Sequence, residues 1–154
     1  MKNGGDDDWS SRVLVFVPGK FGNKIVLIQA RRKPNPKLWN FPGGKKNPGE
    51  TPLDTALREL KEETGLRVKP ENMIPLGIVP RTGHSVHLFG TYIEDTSTLL
   101  ATGSDGETVG TFDESLFLLM KNFVPENKGF YEIARKTLEV RGTKPRRRKV
   151  PRVA

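Results

Sequence analysis

Residues 44–66 read GKKNPGETPLDTALRELKEETGL, and this stretch decides the fold. Thr51 can cap a helix whose first residue is Pro52, the position at which a helix best tolerates proline. Asp54 follows near the positive end of that helix, where a carboxylate is favourable. Gly65 suits the left-handed residue that lies just past a helix C-terminus. The stretch therefore predicts a loop followed by a helix that ends at Gly65.

The predicted helix has an apolar face and an acidic face at 3.6-residue spacing. The apolar residues, which must pack against a core, are Leu53, Ala56, Leu57 and Leu60. The acidic residues, which are neighbours at i, i+3 and i+4, are Glu59, Glu62 and Glu63. Three glutamates on one side are most often a solvated surface. A divalent cation among their oxygens would, however, offset their repulsion, and hard oxygen ligands suit Mg²⁺ or Mn²⁺.

The rest of the stretch favours the metal-binding alternative. Gly43 and Gly44 let the backbone approach a ligand closely, Glu50 adds a carboxylate before the helix, and Arg58 can tie loop to helix. The whole pattern resembles the Nudix box, G-x5-E-x7-R-E-U-x-E-E-x-G-U, in which U is aliphatic. Every defined position is filled, by Gly44, Glu50, Arg58, Glu59, Leu60, Glu62, Glu63, Gly65 and Leu66.

The resemblance to the Nudix family implies an α/β fold, a mixed β-sheet sandwiched between α-helices, with the box as a loop-helix-loop unit. The remaining sequence agrees with this fold. Val13, Val15 and Val17 alternate as they do in a strand. Further strands are predicted at residues 25–28, 73–79, 85–94 and 107–112. A short helix is predicted at 113–120 and a last helix at 126–140.

Charge divides the chain into three segments. Residues 1–10 form an acidic N-terminus that we expect to be flexible, and residues 11–140 form the Nudix domain. Residues 141–154 hold seven Lys and Arg residues and no acidic one. The other residues contain 19 basic and 18 acidic residues, so the domain is close to neutral. The basic tail is interrupted by proline and poor in apolar residues, which predicts disorder when it is free.

Composition excludes several classes of protein. The chain has no cysteine, so a disulfide framework and a thiolate metal site are both excluded. No apolar run approaches the length of a membrane span, and the polar start is unlike a signal peptide. These features predict a cytoplasmic enzyme with no membrane partner.

The resemblance also implies a role for each residue of the site. Metal ligands are implied at Glu59, Glu62, Glu63, Glu50 and the carbonyl of Gly43. Catalytic roles are implied for Glu62, Glu59 and Glu107. Structural roles within the box are implied for Gly44, Arg58 and Gly65. The metal would be Mg²⁺, with Mn²⁺ as a substitute, since phosphate chemistry at carboxylate sites uses such ions.

Outside the box the matches are shorter. Glu107 is the best match to a glutamate that reaches the metals in MutT-type members, with Glu114 and Asp105 as alternatives. Arg31 falls in the basic run 31–33, where relatives hold phosphates or ribose, although solvated charge is the simpler interpretation. Asn127 is the last residue of the phrase FVPEN at 123–127, which resembles the MutT-type F-P-P-A-N, and it is either a purine-reading residue or a helix cap. Trp39 is expected to pack rather than to touch substrate.

The implied activity is Mg²⁺-dependent cleavage of the diphosphate linkage of a nucleoside diphosphate derivative. We expect a nucleoside or deoxynucleoside triphosphate, giving a monophosphate and pyrophosphate. The alternatives are ADP-ribose or nucleotide-sugar hydrolysis, and an RNA-binding module that uses the basic tail. Pro80 is only an approximate counterpart of the proline of ADP-ribose hydrolases, and Tyr92 lies too far along for diadenosine polyphosphate hydrolases. His84 and His87 are interpreted as surface or pocket residues, and the sequence leaves the oligomeric state open.

Overall fold

A computed structural model describes residues 8–30 and 37–140 of the chain. Seven β-strands form one sheet: β1 Trp9–Gly19, β2 Gly22–Gln29, β3 Trp39–Asn40, β4 Gly43–Lys45, β5 Ile74–Arg81, β6 His84–Tyr92 and β7 Thr108–Asp113. Three α-helices accompany them: α1 Pro52–Thr64, α2 Glu114–Leu119 and α3 Phe130–Val140. Short 3₁₀ turns lie at Pro70–Asn72 and Pro125–Asn127.

The sheet is mixed, as the resemblance to the Nudix family implies. Its main path runs β3-β2-β1-β6-β5, with β4 added beside β1 and β7 beside β2. β1 and β6 run parallel, and the remaining pairs are antiparallel. β1 is therefore the central strand, and it also holds the short strand that leads into the predicted box.

The helices cover both faces of this sheet. Successive residues of a strand point to opposite faces, so β1 contributes to two separate cores. One face, with Val13 and Val15, packs against Ala56 and Leu60 of α1. The other face, with Leu14, packs against residues of α2 and α3. The predicted sandwich of a mixed sheet between helices is confirmed.

Helix α1 has the ends that its sequence predicts. The side chain of Thr51 accepts a hydrogen bond from the Asp54 amide at 3.1 Å, and the Asp54 carboxylate accepts one from the Thr51 amide at 3.1 Å. This reciprocal pair is a capping box, which satisfies amides that the first turn leaves without partners. Gly65 adopts a φ of 80° and donates to the Lys61 carbonyl at 2.8 Å. Both ends are thus fixed by local sequence.

The segment before α1 is anchored in the larger core. Phe41 is completely buried, and its ring packs against Phe117, Phe123 and Phe130 at centroid distances between 4.9 and 6.3 Å. The Val13 amide donates to the Pro42 carbonyl at 2.8 Å. The backbone that leads to the box is therefore held by an aromatic cluster below it and by β1 beside it.

Two boundaries differ from the expectations. β1 begins at Trp9, two residues inside the predicted N-terminal segment, because Trp9 packs edge-on against His87 at 5.3 Å. The last helix begins at Phe130 rather than at residue 126, because residues 125–127 form a 3₁₀ turn that starts with proline. Residues 141–154, the predicted tail, lie outside the described residues. No helix in the described part of the chain has the length and apolar character needed to cross a membrane.

Candidate active site

Arg58 joins the loop before α1 to the helix. Its Nε and Nη2 donate to the two oxygens of Glu50 at 2.7 and 3.0 Å, and Nη2 also donates to the Lys45 carbonyl at 3.0 Å. Glu50 Oε1 accepts further bonds from the Asn47 amide and the Thr55 hydroxyl, each at 2.8 Å. Arg58, followed by the Asn47 and Thr55 bonds, lowers the pKa of Glu50 to about 2. Glu50 is therefore a fixed anion.

The third nitrogen of the same guanidinium faces the acidic side of α1. Arg58 Nη1 lies 3.2 Å from Glu62 Oε1 and 3.4 Å from Glu59 Oε1. The Glu62 side chain is 43% exposed and that of Glu59 is 17% exposed, so Glu62 stands nearer to solvent. One arginine thus contacts three of the carboxylates that the sequence places at the site.

The carboxylate of Glu59, which projects from α1, lies against the backbone of Gly44 in β4. A Cβ added at Gly44 would overlap Glu59 Oε2, so a larger residue there would displace this carboxylate from its position. Burial raises the pKa of Glu59 to about 7, against the effect of Arg58, and repulsion from Glu62 and Glu107 adds to the rise. The carboxylate is thus partly desolvated and surrounded by like charge.

Glu63 is the most buried carboxylate of the cluster. It is 8% exposed, and its Oε1 accepts a hydrogen bond from the Gly43 amide at 2.7 Å. Burial raises its pKa to about 8, opposed by Arg12 and the Gly43 amide and reinforced by Glu59 and Glu107. A side chain expected to bind metal is thus packed against the strand that precedes the box.

Glu107 belongs to the same electrostatic cluster. It raises the pKa of both Glu59 and Glu63, so its charge lies within range of each. The segment that carries it is attached to the end of α1, because the amides of Leu100 and Ser104 donate to helix carbonyls at 2.8 and 2.9 Å. The structure therefore brings Glu107 toward the box carboxylates from a distant part of the sequence.

The two alternatives to Glu107 are placed differently. Glu114 Oε2 accepts a hydrogen bond from the Tyr131 hydroxyl at 2.6 Å and lies 3.6 Å from Arg135, so it links α2 to α3. Asp105 is exposed, and its backbone amide donates to Glu107 Oε1 at 3.2 Å. Of the three acidic residues, Glu107 alone is among the groups that shift the pKa of Glu59 and Glu63.

Sequence reasoning missed Arg12, which lies opposite the cluster on β1. Its Nη1 donates to the Phe41 carbonyl at 2.8 Å, and its backbone pairs with Gly43. Burial lowers the pKa of Arg12, whereas Glu63 and Glu59 raise it. A half-buried guanidinium thus faces the buried carboxylate of Glu63 and the half-buried one of Glu59. The signal in the sequence was an arginine directly before the apolar run 13–17 of β1.

The donors of this cluster fit a hard divalent cation. They are carboxylate oxygens, which Mg²⁺ and Mn²⁺ prefer, and burial and mutual repulsion disfavour their charged forms in the absence of a cation. In residues 8–30 and 37–140, no three acidic or histidine side chains are already gathered at one ion position. Instead, the box carboxylates face Arg58 and the Gly43 amide. The residues present would hold such an ion through Glu59, Glu62, Glu63 and Glu107.

Asn127 is buried at a second polar centre. Its Oδ1 accepts a hydrogen bond from Arg81 Nη2 at 3.2 Å, and its Nδ2 donates to Asn40 Oδ1 at 2.9 Å. Arg81 also lies over the ring of Phe130 at 5.0 Å. Asn127 lies in the 3₁₀ turn, three residues before α3, so it does not cap that helix. The amide nitrogen carries two protons, and one of these goes to Asn40.

The remaining sequence candidates fall outside the carboxylate cluster. Arg31 lies outside the described residues. Trp39 packs edge-on against Phe112 at 4.8 Å, and the expectation that it packs agrees with this contact. His87 packs on Trp9, and burial lowers its pKa. His84 lies at the start of β6.

Comparison with known proteins identifies relatives of the central segment. A family model described as "NUDIX domain" matches residues 10–132. The chain is 46% identical over 55 residues to "Putative 8-oxo-dGTP diphosphatase YtkD" of Bacillus subtilis, covering 36% of this chain and 32% of that protein. It is 64% identical over 46 residues to an "RNA pyrophosphohydrolase" of Bartonella bacilliformis, covering 30% and 27%. This chain matches only part of the length of its curated relatives, between 16% and 42% of each.

A solved structure shares the arrangement of strands and helices. The NUDIX domain of Shewanella oneidensis NrtR, complexed with ADP ribose, superposes with a TM-score of 0.74 at 19% identity. The superposition covers 90% of this chain and 90% of that one. At this level of identity the likeness concerns the fold alone.

The raised pKa values of the buried carboxylates predict how stability depends on pH. An unfolded glutamate has a pKa of about 4.3, whereas the pKa of Glu63 in the folded chain is about 8. Between these values the folded state binds more protons than the unfolded state, so raising the pH favours unfolding. We expect the melting temperature of the metal-free protein, measured in a chelator, to fall as the pH rises from 5 to 8. This decrease should be smaller in Glu63→Gln than in wild type. Glu71→Gln, on an exposed turn, should keep the wild-type slope, and an identical slope in Glu63→Gln would contradict the assignment.

Proposed function

The chain belongs to the NUDIX domain family, and we propose that it is a Mg²⁺-dependent pyrophosphohydrolase acting on a nucleoside diphosphate derivative. The observation that carries this proposal is the cluster of Glu59, Glu63 and Glu107, in which burial and like charge raise the pKa of two carboxyls. Such a cluster is costly for stability, which favours a role in binding a cation and a phosphate chain. Mn²⁺ would serve as a substitute for Mg²⁺ because it shares the preference for oxygen.

The proposed substrate is a nucleoside or deoxynucleoside triphosphate, oxidised forms included, converted to a monophosphate and pyrophosphate. The relative from Bacillus subtilis whose name specifies 8-oxo-dGTP supports this choice. Its similarity covers 36% of this chain and 32% of that protein. Hydrolysis of ADP-ribose or a nucleotide sugar is the alternative within the same reaction class.

The reaction requires a water oxygen to attack phosphorus while the anhydride P–O bond breaks. The leaving group carries away the bonding electron pair, and the attacking water gives its proton to a base. A bound divalent cation would offset phosphate charge and lower the pKa of a water. The carboxylates of Glu59, Glu62 and Glu63 would hold the cation and balance its charge. Glu107, which comes from the segment between β6 and β7, would serve as a further ligand or as the base.

Arg58 and the glycines act by keeping these carboxylates in place. Arg58 binds Glu50 through two nitrogens, so the loop cannot drift from the helix without breaking a bidentate ion pair. Gly44 has no side chain and so leaves room for the Glu59 carboxylate. Gly65 ends the helix at the point where the segment that carries Glu107 packs against it. The backbone amide of Gly43 holds Glu63, and we propose its carbonyl as a further donor to the cation.

Base recognition is proposed at Asn127. Its side chain is oriented by Arg81 and Asn40, which agrees with a group that must present one amide edge in a fixed direction. The second proton of Nδ2 would donate to an acceptor on the base. Arg31 is proposed to contact phosphate or ribose.

The basic tail is proposed as a nucleic-acid-binding arm that is separate from hydrolysis of free nucleotides. Residues 141–154 carry seven of the 26 basic residues of the chain. A segment of this charge density attracts nucleic acid through counterion release. A triphosphate, in contrast, fits a small site and does not need such an arm.

The proposed function is tested by incubating the full chain with a panel of nucleotides. The panel contains the common and 8-oxo nucleoside triphosphates, ADP-ribose, a nucleotide sugar and 5′-triphosphorylated RNA, each with Mg²⁺ or chelator. Chromatography should show a monophosphate and pyrophosphate from a triphosphate, and none in chelator. Hydrolysis of ADP-ribose alone would replace the substrate assignment, and no hydrolysis of any compound would overturn the proposal.

Glu62→Gln is the direct test of the box carboxylates. The change removes one charge from the cluster at a side chain that is 43% exposed, so the fold should persist. We expect kcat to fall by about 10²-fold or more, since the change removes a charged ligand from the cation that would stabilise the transition state. The matched control is Glu71→Gln, at an exposed position of the turn Pro70–Asn72, which should leave kcat unchanged. A folded Glu62→Gln protein with wild-type turnover would refute the assigned role.

Glu107→Gln and Glu114→Gln separate the two candidates for the distal carboxylate. Glu107→Gln should lower kcat much more than it raises the KM for nucleotide, because the residue acts on the cation or on the attacking water rather than on the nucleotide itself. Glu114→Gln should lower the melting temperature by a few degrees, because it weakens the contacts with Tyr131 and Arg135, and it should leave kcat near wild type. The reverse pattern would transfer the role to Glu114.

Removal of residues 141–154 tests the tail. We expect kcat/KM for free nucleotides to stay within about threefold of the full chain, or ~0.7 kcal/mol. RNA binding measured by fluorescence anisotropy should weaken strongly at low salt and less at high salt. Loss of nucleotide hydrolysis by a folded, truncated protein would place the tail in the active site instead.

A further inference from the structure

The segment between β6 and β7, residues 93–107, lies against the end of α1 and is called here the Glu107 loop. The Leu100 amide donates to the Thr64 carbonyl at 2.8 Å, and the Ser104 amide donates to the Glu62 carbonyl at 2.9 Å. The last carbonyls of a helix have no partner within the helix. The loop supplies these partners, so it is attached to the backbone of the turn that bears Glu62 and Glu63.

Gly103 is the point of closest approach in this packing. A Cβ added there would lie 2.6 Å from the Glu63 carbonyl oxygen, 3.0 Å from the Glu63 Cα and 2.5 Å from Glu107 Oε1. The first two are backbone atoms of a packed helix and cannot move aside easily. Gly103 is not among the glycines with positive φ, so its backbone conformation is open to other residues. Contact, rather than conformation, therefore requires glycine here.

The same loop turns back on itself to present Glu107. The Gly103 amide donates to the Glu107 carbonyl at 2.8 Å, and the Asp105 amide donates to the Glu107 carboxylate at 3.2 Å. The residue that touches Glu63 is thus bonded directly to the residue that carries the distal carboxylate. A displacement of Gly103 would be transmitted to Glu107 through one hydrogen bond.

We propose that Gly103 is a positioning residue of the active site, whose missing side chain lets the Glu107 loop rest on the Glu63 backbone and so sets the place of the Glu107 carboxylate. The inference rests on the proposed function in assigning Glu107 to a divalent cation and a phosphate. Relief of the contacts with alanine at 103 requires the loop to move by roughly 1 Å. A misplacement of that size can cost about 10²-fold in rate.

Gly103→Ala is tested first by Mg²⁺ binding without nucleotide, using isothermal titration calorimetry. We expect the Mg²⁺ dissociation constant to rise about tenfold and kcat to fall roughly 10- to 100-fold, with a much smaller change in KM. The matched control is Gly129→Ala, where an added Cβ meets no atom within 4 Å and φ is not positive. That control should bind Mg²⁺ and turn over as wild type does.

A double-mutant cycle distinguishes positioning from general loosening of the loop. In a Glu107→Gln background, Gly103→Ala should add less than about twofold to either loss, because the group that it displaces is already disabled. Equal losses in both backgrounds, or wild-type Mg²⁺ affinity in Gly103→Ala, would overturn the proposal. Ser104→Pro, which deletes the amide donor to Glu62, gives a second route if Gly103→Ala does not fold, with the same coupled result expected.

The two levels of proposal fail in different ways. If Glu107→Gln is silent while Glu62→Gln abolishes turnover, the positioning role is refuted and the hydrolase assignment stands. If the wild-type chain hydrolyses no compound of the panel, the hydrolase assignment fails. The Mg²⁺ titrations of Gly103→Ala, Glu107→Gln and the double variant then still decide whether Gly103 acts through Glu107.

Discussion

The fork of ion pairs around Arg58 is the interaction on which the site depends. A single planar guanidinium binds Glu50 through two nitrogens and reaches Glu59 and Glu62 with the third. Its charge is always present, and its donors have fixed directions, which a lysine cannot reproduce. The loop before α1 is consequently held at a fixed distance from the helix. Glu50, Glu59 and Glu62 are held in place by the same guanidinium. Without that tie, the three carboxylates that Arg58 contacts would separate under their own repulsion.

Counter-charge within the site is distributed unevenly. Arg58 serves the exposed edge of the cluster, whereas Arg12 serves its buried side, opposite Glu63 and Glu59. Burial still outweighs these cations, and the two inner carboxyls keep raised pKa values. A fold selected for stability alone would place apolar residues there. The local conflict is the kind that proteins retain where chemistry is performed.

Local signals in the sequence predicted local structure well. The caps at Thr51 and Gly65 and the apolar stripe of α1 depend on residues a few positions apart, and each of these predictions is confirmed. Arg12, Gly103 and the link between Arg81 and Asn127 were not predicted as structural features. Each depends on a contact between segments far apart in the chain, which periodicity cannot reveal. The late start of α3 has another cause, since the pattern of apolar residues could not weigh a proline turn against a helix.

The central position of β1 has a consequence for the order in which the molecule assembles. Residues 9–16 lie parallel to residues 85–92, so the middle of the sheet closes only after most of the chain is available. Helix α1 carries its own start and stop signals and is able to form while the sheet is incomplete. Contacts of such long range slow folding and leave apolar strand edges exposed meanwhile. During synthesis, the nascent chain therefore bears α1 and the β1 residues against which it packs well before β6 is available to complete the middle of the sheet.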